Sequence, residues 1–239
     1  MIKKIVQLFS LNHYFDKLAR NTYDVNANVI LHRLFPNKTI LPFTTFSLNP
    51  GTILHIINEI QINNRKSIIE FGSGISTIVL ARYITENNLP ILISSIESDK
   101  YWIDFIDSQL IKYNCRHVVD LEYAPLSTSL NNDFLWYDCR KVSEIVENKK
   151  FDLVIVDGPS GGGGKFARKP ALNAIIDNLD TNFCIFLDDV RRSDEKQILE
   201  QWKGTLRGAN FKVKKIAVKS KVYGILTSEG SFSSNPLSH

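Results

Sequence analysis

The 239-residue sequence has few of the features expected of an extracellular or membrane-spanning protein. Its three cysteines, Cys115, Cys139 and Cys184, are odd in number and lack the spacing of a metal or redox site. We interpret them as small buried side chains in a reducing compartment, which excludes a disulfide framework. No apolar run approaches the length needed to cross a bilayer, and the short one at residues 2–9 lacks a small-residue cleavage site. These absences favour a cytoplasmic protein.

A strong excess of one charge is also missing. The chain has 29 Lys and Arg against 25 Asp and Glu, and its pI is about 8.8. Its cations are scattered, apart from clusters at 191–192 and 212–221, whereas a nucleic-acid surface concentrates them on one face. The five histidines show no metal-ligand spacing, and nothing resembles a Ser-His-Asp set. We therefore expect no nucleic-acid partner.

The pattern of apolar segments predicts an α/β domain. Continuous β-branched runs suit strands buried on both faces, and their alternation with helical segments indicates a parallel sheet. The predicted strands are 67–71, 91–96, 117–122, 151–156 and 183–187, and the helices between them are 75–87, 99–113, 139–148 and 168–180. A helix at 193–204 precedes two strand-like stretches, 211–218 and 221–227, whose short link Lys219–Ser220 suggests a hairpin. The expected fold is a three-layer, mostly parallel sheet that ends in an antiparallel hairpin.

The domain boundaries follow from the same pattern. Residues 1–50 have mixed spacing and are expected to form a helical or irregular cap. Residues 51–230 form the main domain. The Asn- and Ser-rich residues 231–239 are expected to be a frayed tail.

The most informative segment is residues 68–77, Ile-Ile-Glu-Phe-Gly-Ser-Gly-Ile-Ser-Thr. Gly72 and Gly74 let the backbone turn sharply and let a ligand approach closely. The helix that follows points its free N–H groups at the ligand. Glu70 would be unwelcome beside phosphates, but it would suit a ligand with a cationic amino-acid end. S-adenosylmethionine is such a ligand.

Two further segments extend this pattern, Ser-Ile-Glu-Ser-Asp at 95–99 and Phe-Asp-Leu-Val-Ile-Val-Asp-Gly-Pro at 151–159. With the first segment, and in this order, they resemble the class I (Rossmann-like) S-adenosylmethionine-dependent methyltransferases. The resemblance implies that Glu70 faces the cofactor's amino group and that Glu97 binds its ribose hydroxyls. It also places Ala124 against the adenine. The implied cofactor-binding residues are Glu70, Gly72, Ser73, Gly74, Thr77, Glu97, Ser98, Ala124 and Asp157.

Two phosphate-binding alternatives fail on the residues themselves. A dinucleotide fingerprint needs a small residue where Thr77 stands. A P-loop at 157–166 needs glycine and a hydroxyl residue where Pro159 and Phe166 stand. The glycine run at 161–164 is therefore either a mobile loop over the site or a plain connection.

Three carboxylates follow the fourth and fifth predicted strands. Asp157, Asp188 and Asp189 would repel one another unless they were protonated or bridged by a cation such as Mg²⁺. This resembles the cation-dependent O-methyltransferases and implies a metal at these three residues. Those enzymes commonly carry a lysine that acts as the base close behind the first aspartate. This sequence departs from that pattern, because Gly158, Pro159 and a glycine run follow Asp157 and Lys165 comes later. Asp157 and Lys165 are the candidate catalytic groups. Without a metal, Asp188 or Asp189 would cap the following helix.

The expected activity is O-methylation of a small-molecule or glycan acceptor, and a non-catalytic binding or scaffold module is the alternative. The Asn-Pro-Pro-Tyr motif of base-amine methylation is absent after the fourth strand. A homodimer stays one expectation for the assembly. The cations Arg168, Lys169, Arg191 and Arg192 either bind an anionic acceptor or are solvated charges at helix ends. Four aromatic residues either line the acceptor pocket or are ordinary core or surface residues: Phe43, Phe46, Trp136 and Phe166. Trp136 and Tyr137 are candidate lids.

Overall fold

The computed structural model describes residues 2–36, 38–128, 135–160, 164–216 and 222–236. The helices are α1 (Ile2–His32), α2 (Pro50–Asn63), α3 (Ile75–Glu86), α4 (Lys100–Lys112), α5 (Cys139–Val146), α6 (Pro170–Ile175) and α7 (Ser193–Gly208). The strands are β1 (Ser67–Phe71), β2 (Leu92–Glu97), β3 (Val119–Tyr123), β4 (Leu126–Thr128), β5 (Leu135–Tyr137), β6 (Phe151–Val156), β7 (Leu179–Leu187), β8 (Val213–Ile216) and β9 (Gly224–Ser228).

Seven strands of the described residues form one sheet in the order β3-β2-β1-β6-β7-β9-β8. The first five are parallel, and β9 runs antiparallel to both β7 and β8. This confirms the predicted mostly parallel sheet with an antiparallel pair at its C-terminal edge. The expected link at Lys219–Ser220 lies outside the described residues. The strand order reverses between β1 and β6, which is where open α/β sheets bind ligands.

Two details of the chain path were not predicted. Strands β4 and β5 form a separate two-stranded antiparallel sheet, and each has only three residues, too few to show a pattern. The predicted helix at 168–180 corresponds to α6 and a 3-10 helix at Ile176–Asn178, and it is wrong for its last two residues, because β7 already begins at Leu179. Residues 180–182 of this strand are polar and exposed, so the apolar pattern does not indicate where the strand begins.

The sheet separates two apolar cores. Along β1, Ile68 packs with one core and Ile69 with the other, as alternating strand residues must. Helices α2, α3 and α4 cover the first face, and α5, α6 and α7 cover the second. Leu31, Phe35 and Leu48 of the N-terminal segment join the first core. Residues of the expected cap therefore pack directly on the sheet domain.

The expectation of a frayed tail is wrong for residues 231–236. Ser234 is 1% exposed, and its hydroxyl donates to the carboxylate of Glu59 and lies 3.0 Å from Nε2 of His55. Ser231 accepts a hydrogen bond from Arg65, which forms a buried ion pair with Glu59. The small polar residues that suggested disorder instead satisfy this buried pair.

The cysteine expectation holds in part. Cys115 and Cys184 are buried free thiols, but Cys139 is exposed. Cys139 is the first residue of α5, directly after the capping residue Asp138. Within the described residues, no helix combines the length and apolar character needed to cross a membrane.

Candidate functional site

A cavity of about 810 Å³ opens at the carboxyl ends of β1, β2, β6 and β7. The loop after β1, the end of β2 and the loops after β6 and β7 form its base and sides. Residues 44–49, which lead into α2, form another wall. Its place at the reversal of strand order is the place where this kind of sheet binds ligands.

The loops after β1 and β6 touch through two glycines. Gly72 has φ +97°, and a Cβ on it would lie 2.7 Å from the amide nitrogen of Gly158. A Cβ on Gly158 would lie 2.2 Å from the hydroxyl of Tyr137. Gly158 also donates its N–H to the carbonyl of Phe71 at 2.6 Å. Side chains at these positions would push the two cavity walls apart.

Glu70 lies beneath the cavity, not in its lining. The side chain has no exposed surface, and the hydroxyls of Ser76, Thr77 and Ser95 donate to its carboxylate. Burial raises the pKa of Glu70, and the three hydroxyl hydrogen bonds partly offset this. These three hydroxyls enclose the carboxylate and are structural partners that the sequence did not reveal. Its contact with the cavity passes through Ser76, which is a lining residue.

Glu97 and the turn after it line the cavity. Glu97 accepts hydrogen bonds from the backbone N–H groups of Ser98 (2.6 Å) and Asp99 (3.0 Å), and burial raises its pKa. Asp99 caps α4 by accepting from the N–H groups of Tyr101 and Trp102. This fixes the carboxylate of Glu97 at the rim of the pocket.

Trp102 is a lining residue that the sequence reasoning missed. Its indole N–H donates to the carbonyl of Ser73 at 2.8 Å, which ties α4 to the glycine turn. The only sequence signal was its position three residues after the capping Asp99. Thr77 and Ala124, which were expected at the cofactor, are fully buried and lie outside the lining. Thr77 instead accepts from the N–H of Gly74 at the start of α3.

The three predicted aspartates come together in the cavity wall. One carboxylate oxygen from each of Asp157, Asp188 and Asp189 lies within 4.8 Å of the others. Burial raises the pKa of Asp157 to about 6, with Arg168 opposing the shift and Asp189 adding to it. Burial and the other two aspartates raise the pKa of Asp188 well above its usual range. Neither Asp188 nor Asp189 caps α7, whose capping residue is Arg192.

Two arginines neutralise this cluster. The Nη2 of Arg168 lies 3.2 Å from Asp157 Oδ1 and 3.1 Å from Asp189 Oδ2. Arg192 also contacts Asp189, at 3.1 Å. Both arginines line the cavity, whereas Lys169 and Arg191 are exposed outside it. Lys165, the other candidate base, is likewise exposed and outside the lining.

The expected aromatic residues divide between the cavity and the cores. Phe46 is 83% exposed and lines the cavity, whereas Phe43, Trp136 and Phe166 pack on the two cores. Tyr137 lines the cavity but is buried beneath the glycine contact, so it is part of the wall and not a lid. The glycine run at 161–163 lies outside the described residues.

Comparisons with known proteins identify the fold. No protein-family model and no curated protein matches the chain. An O-methyltransferase of Streptomyces achromogenes, solved with S-adenosylmethionine, is 17% identical with a TM-score of 0.52 over 92% of this chain and 96% of its own. An O-methyltransferase of Bacillus cereus, solved with S-adenosylhomocysteine, is 18% identical with a TM-score of 0.52 over 86% and 89%. An S-adenosylhomocysteine-bound methyltransferase of Podospora anserina is 17% identical with a TM-score of 0.54 over 87% and 88%. The chain has the fold of Rossmann-like S-adenosylmethionine-dependent methyltransferases, as the sequence resemblance implied.

Proposed function

We propose that this protein is an S-adenosylmethionine-dependent methyltransferase that methylates a hydroxyl of a small molecule or glycan. One observation carries the proposal. A single cavity joins the Gly72–Gly74 turn and Glu97 to a partly buried cluster of aspartates and arginines. The first group suits a cofactor with an amino-acid end and a ribose, and the second suits an acceptor that must lose a proton. The fold of solved methyltransferases supports the same assignment.

The chain's own residues fit the cofactor on two counts. Gly72 and Gly74 line the cavity, and a Cβ on Gly74 would have only Ser76 Oγ near it, at 3.9 Å, so a ligand can approach this turn closely. Glu97 presents a carboxylate at the cavity rim, held in place by the N–H groups of Ser98 and Asp99. We propose that Glu97 binds the ribose hydroxyls and that Gly72, Ser73 and Gly74 bind the amino-acid end. Glu70 supports this turn from below through Ser76 and Thr77.

On the acceptor side, we propose Asp157 as the group that receives the proton. When bound, the cofactor supplies an electrophilic methyl group that an acceptor oxygen takes in exchange for its proton. The Asp157 carboxylate lines the cavity, and its pKa of about 6 leaves it mostly ionised at neutral pH. The exposed ring of Phe46 and the polar residues of 44–49 face the same space. They are the proposed contacts of the acceptor.

Magnesium is the second cofactor that the three carboxylates suggest. Their oxygens are ligands of the type that Mg²⁺ prefers, and they lie close enough together. The guanidinium of Arg168, however, already contacts Asp157 and Asp189 from a buried position. The residues therefore fit an internal ion-pair network better than a metal centre. The proposed reaction includes no divalent ion.

The cofactor assignment is tested at Glu97. We expect Glu97→Gln to weaken binding of S-adenosylhomocysteine by roughly 1–3 kcal/mol, because a hydrogen-bonded carboxylate facing the ribose is lost. Isothermal titration calorimetry measures the affinity directly. Glu122→Gln is the matched control, since Glu122 pairs with β2 beside Ile96 but does not line the cavity. Equal affinities for wild type and Glu97→Gln would remove Glu97 from the binding site.

A further inference from the structure

We infer that Arg168 takes the place of a divalent cation, acting as a fixed internal cation that holds the strand-end aspartates in position. What this inference implies for the methyl acceptor rests on the function proposed above. What it implies for the binding of divalent ions does not. The inference starts from the position of one side chain. Arg168 is 4% exposed and reaches the carboxylates that follow both β6 and β7.

The contacts of Arg168 place its charge between two of the three aspartates. Its Nη2 lies 3.2 Å from Asp157 Oδ1 and 3.1 Å from Asp189 Oδ2. A metal ion bound by all three carboxylates would lie close to this guanidinium, because the three oxygens are within 4.8 Å of one another. Two cations so close together repel, and the guanidinium side is buried, with Arg168 4% exposed.

The backbone around Arg168 keeps the guanidinium in place. Its carbonyl accepts from the N–H of Ala171 at 3.2 Å, and the indole N–H of Trp202 donates to the carbonyl of Lys169 at 3.0 Å. The neighbouring side chains of Ala167 and Ala171 are buried. These contacts fix the backbone from which the side chain extends, and moving the guanidinium aside for a metal would break its contacts with Asp157 and Asp189. Arg168 is therefore part of the core, unlike the half-exposed Arg192.

The charges of the site are already nearly balanced. Arg168 contacts Asp157 and Asp189, and Arg192 contacts Asp189 as well, so these two carboxylates already have cationic partners. A divalent cation would add further positive charge beside two guanidinium groups. A guanidinium has only donors and no coordination sites, so it orients the aspartates but cannot chelate two adjacent hydroxyls. The site is thus expected to accept substrates with a single hydroxyl, with no need for a neighbouring one.

Manganese(II) is a suitable probe, because binding to protein reduces the paramagnetic signal of the free ion. We expect the wild type to leave this signal unchanged at millimolar manganese. Arg168→Gln keeps a polar side chain but shortens it and removes the charge, and we expect it to bind the ion and to reduce the free signal. The thermal unfolding midpoint of this variant should also rise with manganese, because the ion stabilises the repelling carboxylates.

Three controls make the test specific. Arg192→Gln removes a cation from the same cluster but leaves Arg168, and it should not bind manganese. The double variant Arg168→Gln/Asp188→Asn should lose the binding gained by Arg168→Gln. Arg168→Lys keeps the positive charge and should not bind manganese. If Arg168→Gln does not fold, manganese binding by the wild type and by Arg168→Lys tests the inference instead.

Manganese binding by the wild type that Asp188→Asn abolishes would overturn the inference. A folded Arg168→Gln protein that leaves the free-ion signal unchanged would overturn it too, as would binding by Arg168→Lys. None of these measurements uses the sulfur cofactor. A failure of the proposed methyltransferase function would therefore appear in cofactor titrations and leave the manganese result as it is.

Discussion

Two glycines, Gly72 and Gly158, decide how closely the loops after β1 and β6 approach each other. Each occupies the space that a Cβ on the other would need. Gly72 belongs to a turn that the sequence identifies, but Gly158 is recognisable only when Tyr137 and Gly72 are seen beside it. The shape of the cavity floor therefore depends on two residues that have no side chains.

We expect Gly158→Ala to destabilise the protein by roughly 1–3 kcal/mol, because its methyl group would overlap the Tyr137 hydroxyl and the Gly72 backbone. Urea unfolding measures the change. Adding Tyr137→Phe to this variant should recover part of the loss, since it removes the nearest clashing atom. Gly204→Ala, with open space around the new methyl inside α7, should instead stabilise by about 0.5–1 kcal/mol. Equal effects of Gly158→Ala and Gly204→Ala would contradict the proposed contact.

The buried aspartates give stability a distinct pH dependence. The pKa of Asp157 is raised from 3.8 to about 6, so the folded protein favours its protonated form. Stability from this group is present below the unfolded pKa and is lost as pH rises through about 6. The raised pKa of Asp188 acts in the same direction.

We therefore expect the stability of the wild type to fall relative to Asp157→Asn as pH rises from about 4 to about 6.5. Unfolding free energies of both proteins across this range test the expectation, because other titrating groups largely cancel in the difference. A difference that stays constant over the range would show that Asp157 titrates near its unfolded value.

At the scale of elements, a buried ion pair joins α2, β7 and the C-terminal segment. Arg65 and Glu59 are 1% and 2% exposed, and Arg65 also donates to the carbonyl of Asn182 at 2.7 Å. Ser231 and Ser234 complete the network from the tail. Each of these elements supplies a hydrogen-bonding or charged partner to a buried polar group of another, so they are expected to unfold together.

We expect Arg65→Met to cost about 3–5 kcal/mol, because it leaves the buried carboxylate of Glu59 without its charged partner. The double variant Glu59→Gln/Arg65→Met should be more stable than Arg65→Met alone. Chemical denaturation measures both. Lys141→Met, which breaks the exposed Lys141–Glu144 pair, serves as the control and should change stability little. A small effect of Arg65→Met would mean that water reaches Glu59.

The sequence predicted the strands that consist of continuous apolar runs. Strands β1 and β6 were placed at their observed bounds, because buried parallel strands are apolar on both faces. The start of β7 was missed, since Asp180 to Asn182 are polar and exposed although they belong to the strand. Tertiary position, and not local pattern, makes these residues part of the sheet.

At the site, the sequence predicted which carboxylates meet but not which side chains contact them. Asp157, Asp188 and Asp189 were expected to meet because the carboxyl ends of parallel strands share one edge, and they do. The partners of Glu70 were not predictable, because Ser95 comes from another strand. The contact of Arg168 with two aspartates was not predictable either, because it depends on the path of the loop before α6. Long-range contacts of this kind leave no periodic signal.

At the scale of the whole molecule, the cavity lies where the strand order reverses between β1 and β6. One half of its wall comes from β1, β2 and the turns after them, and the other from β6, β7 and the cap segment 44–49. The first half carries the proposed cofactor contacts, and the second carries the proposed acceptor contacts. The fold thereby brings the two reactants together along one edge of the sheet.

The most direct test of this account is a calorimetric titration of the purified protein with S-adenosylmethionine and S-adenosylhomocysteine, with ATP and NAD as controls, each with and without Mg²⁺. We expect saturable binding of the two sulfur compounds, no binding of ATP or NAD, and no change on adding Mg²⁺. Failure of a folded sample to bind either sulfur compound would contradict the proposed function and favour a non-catalytic module with the same fold.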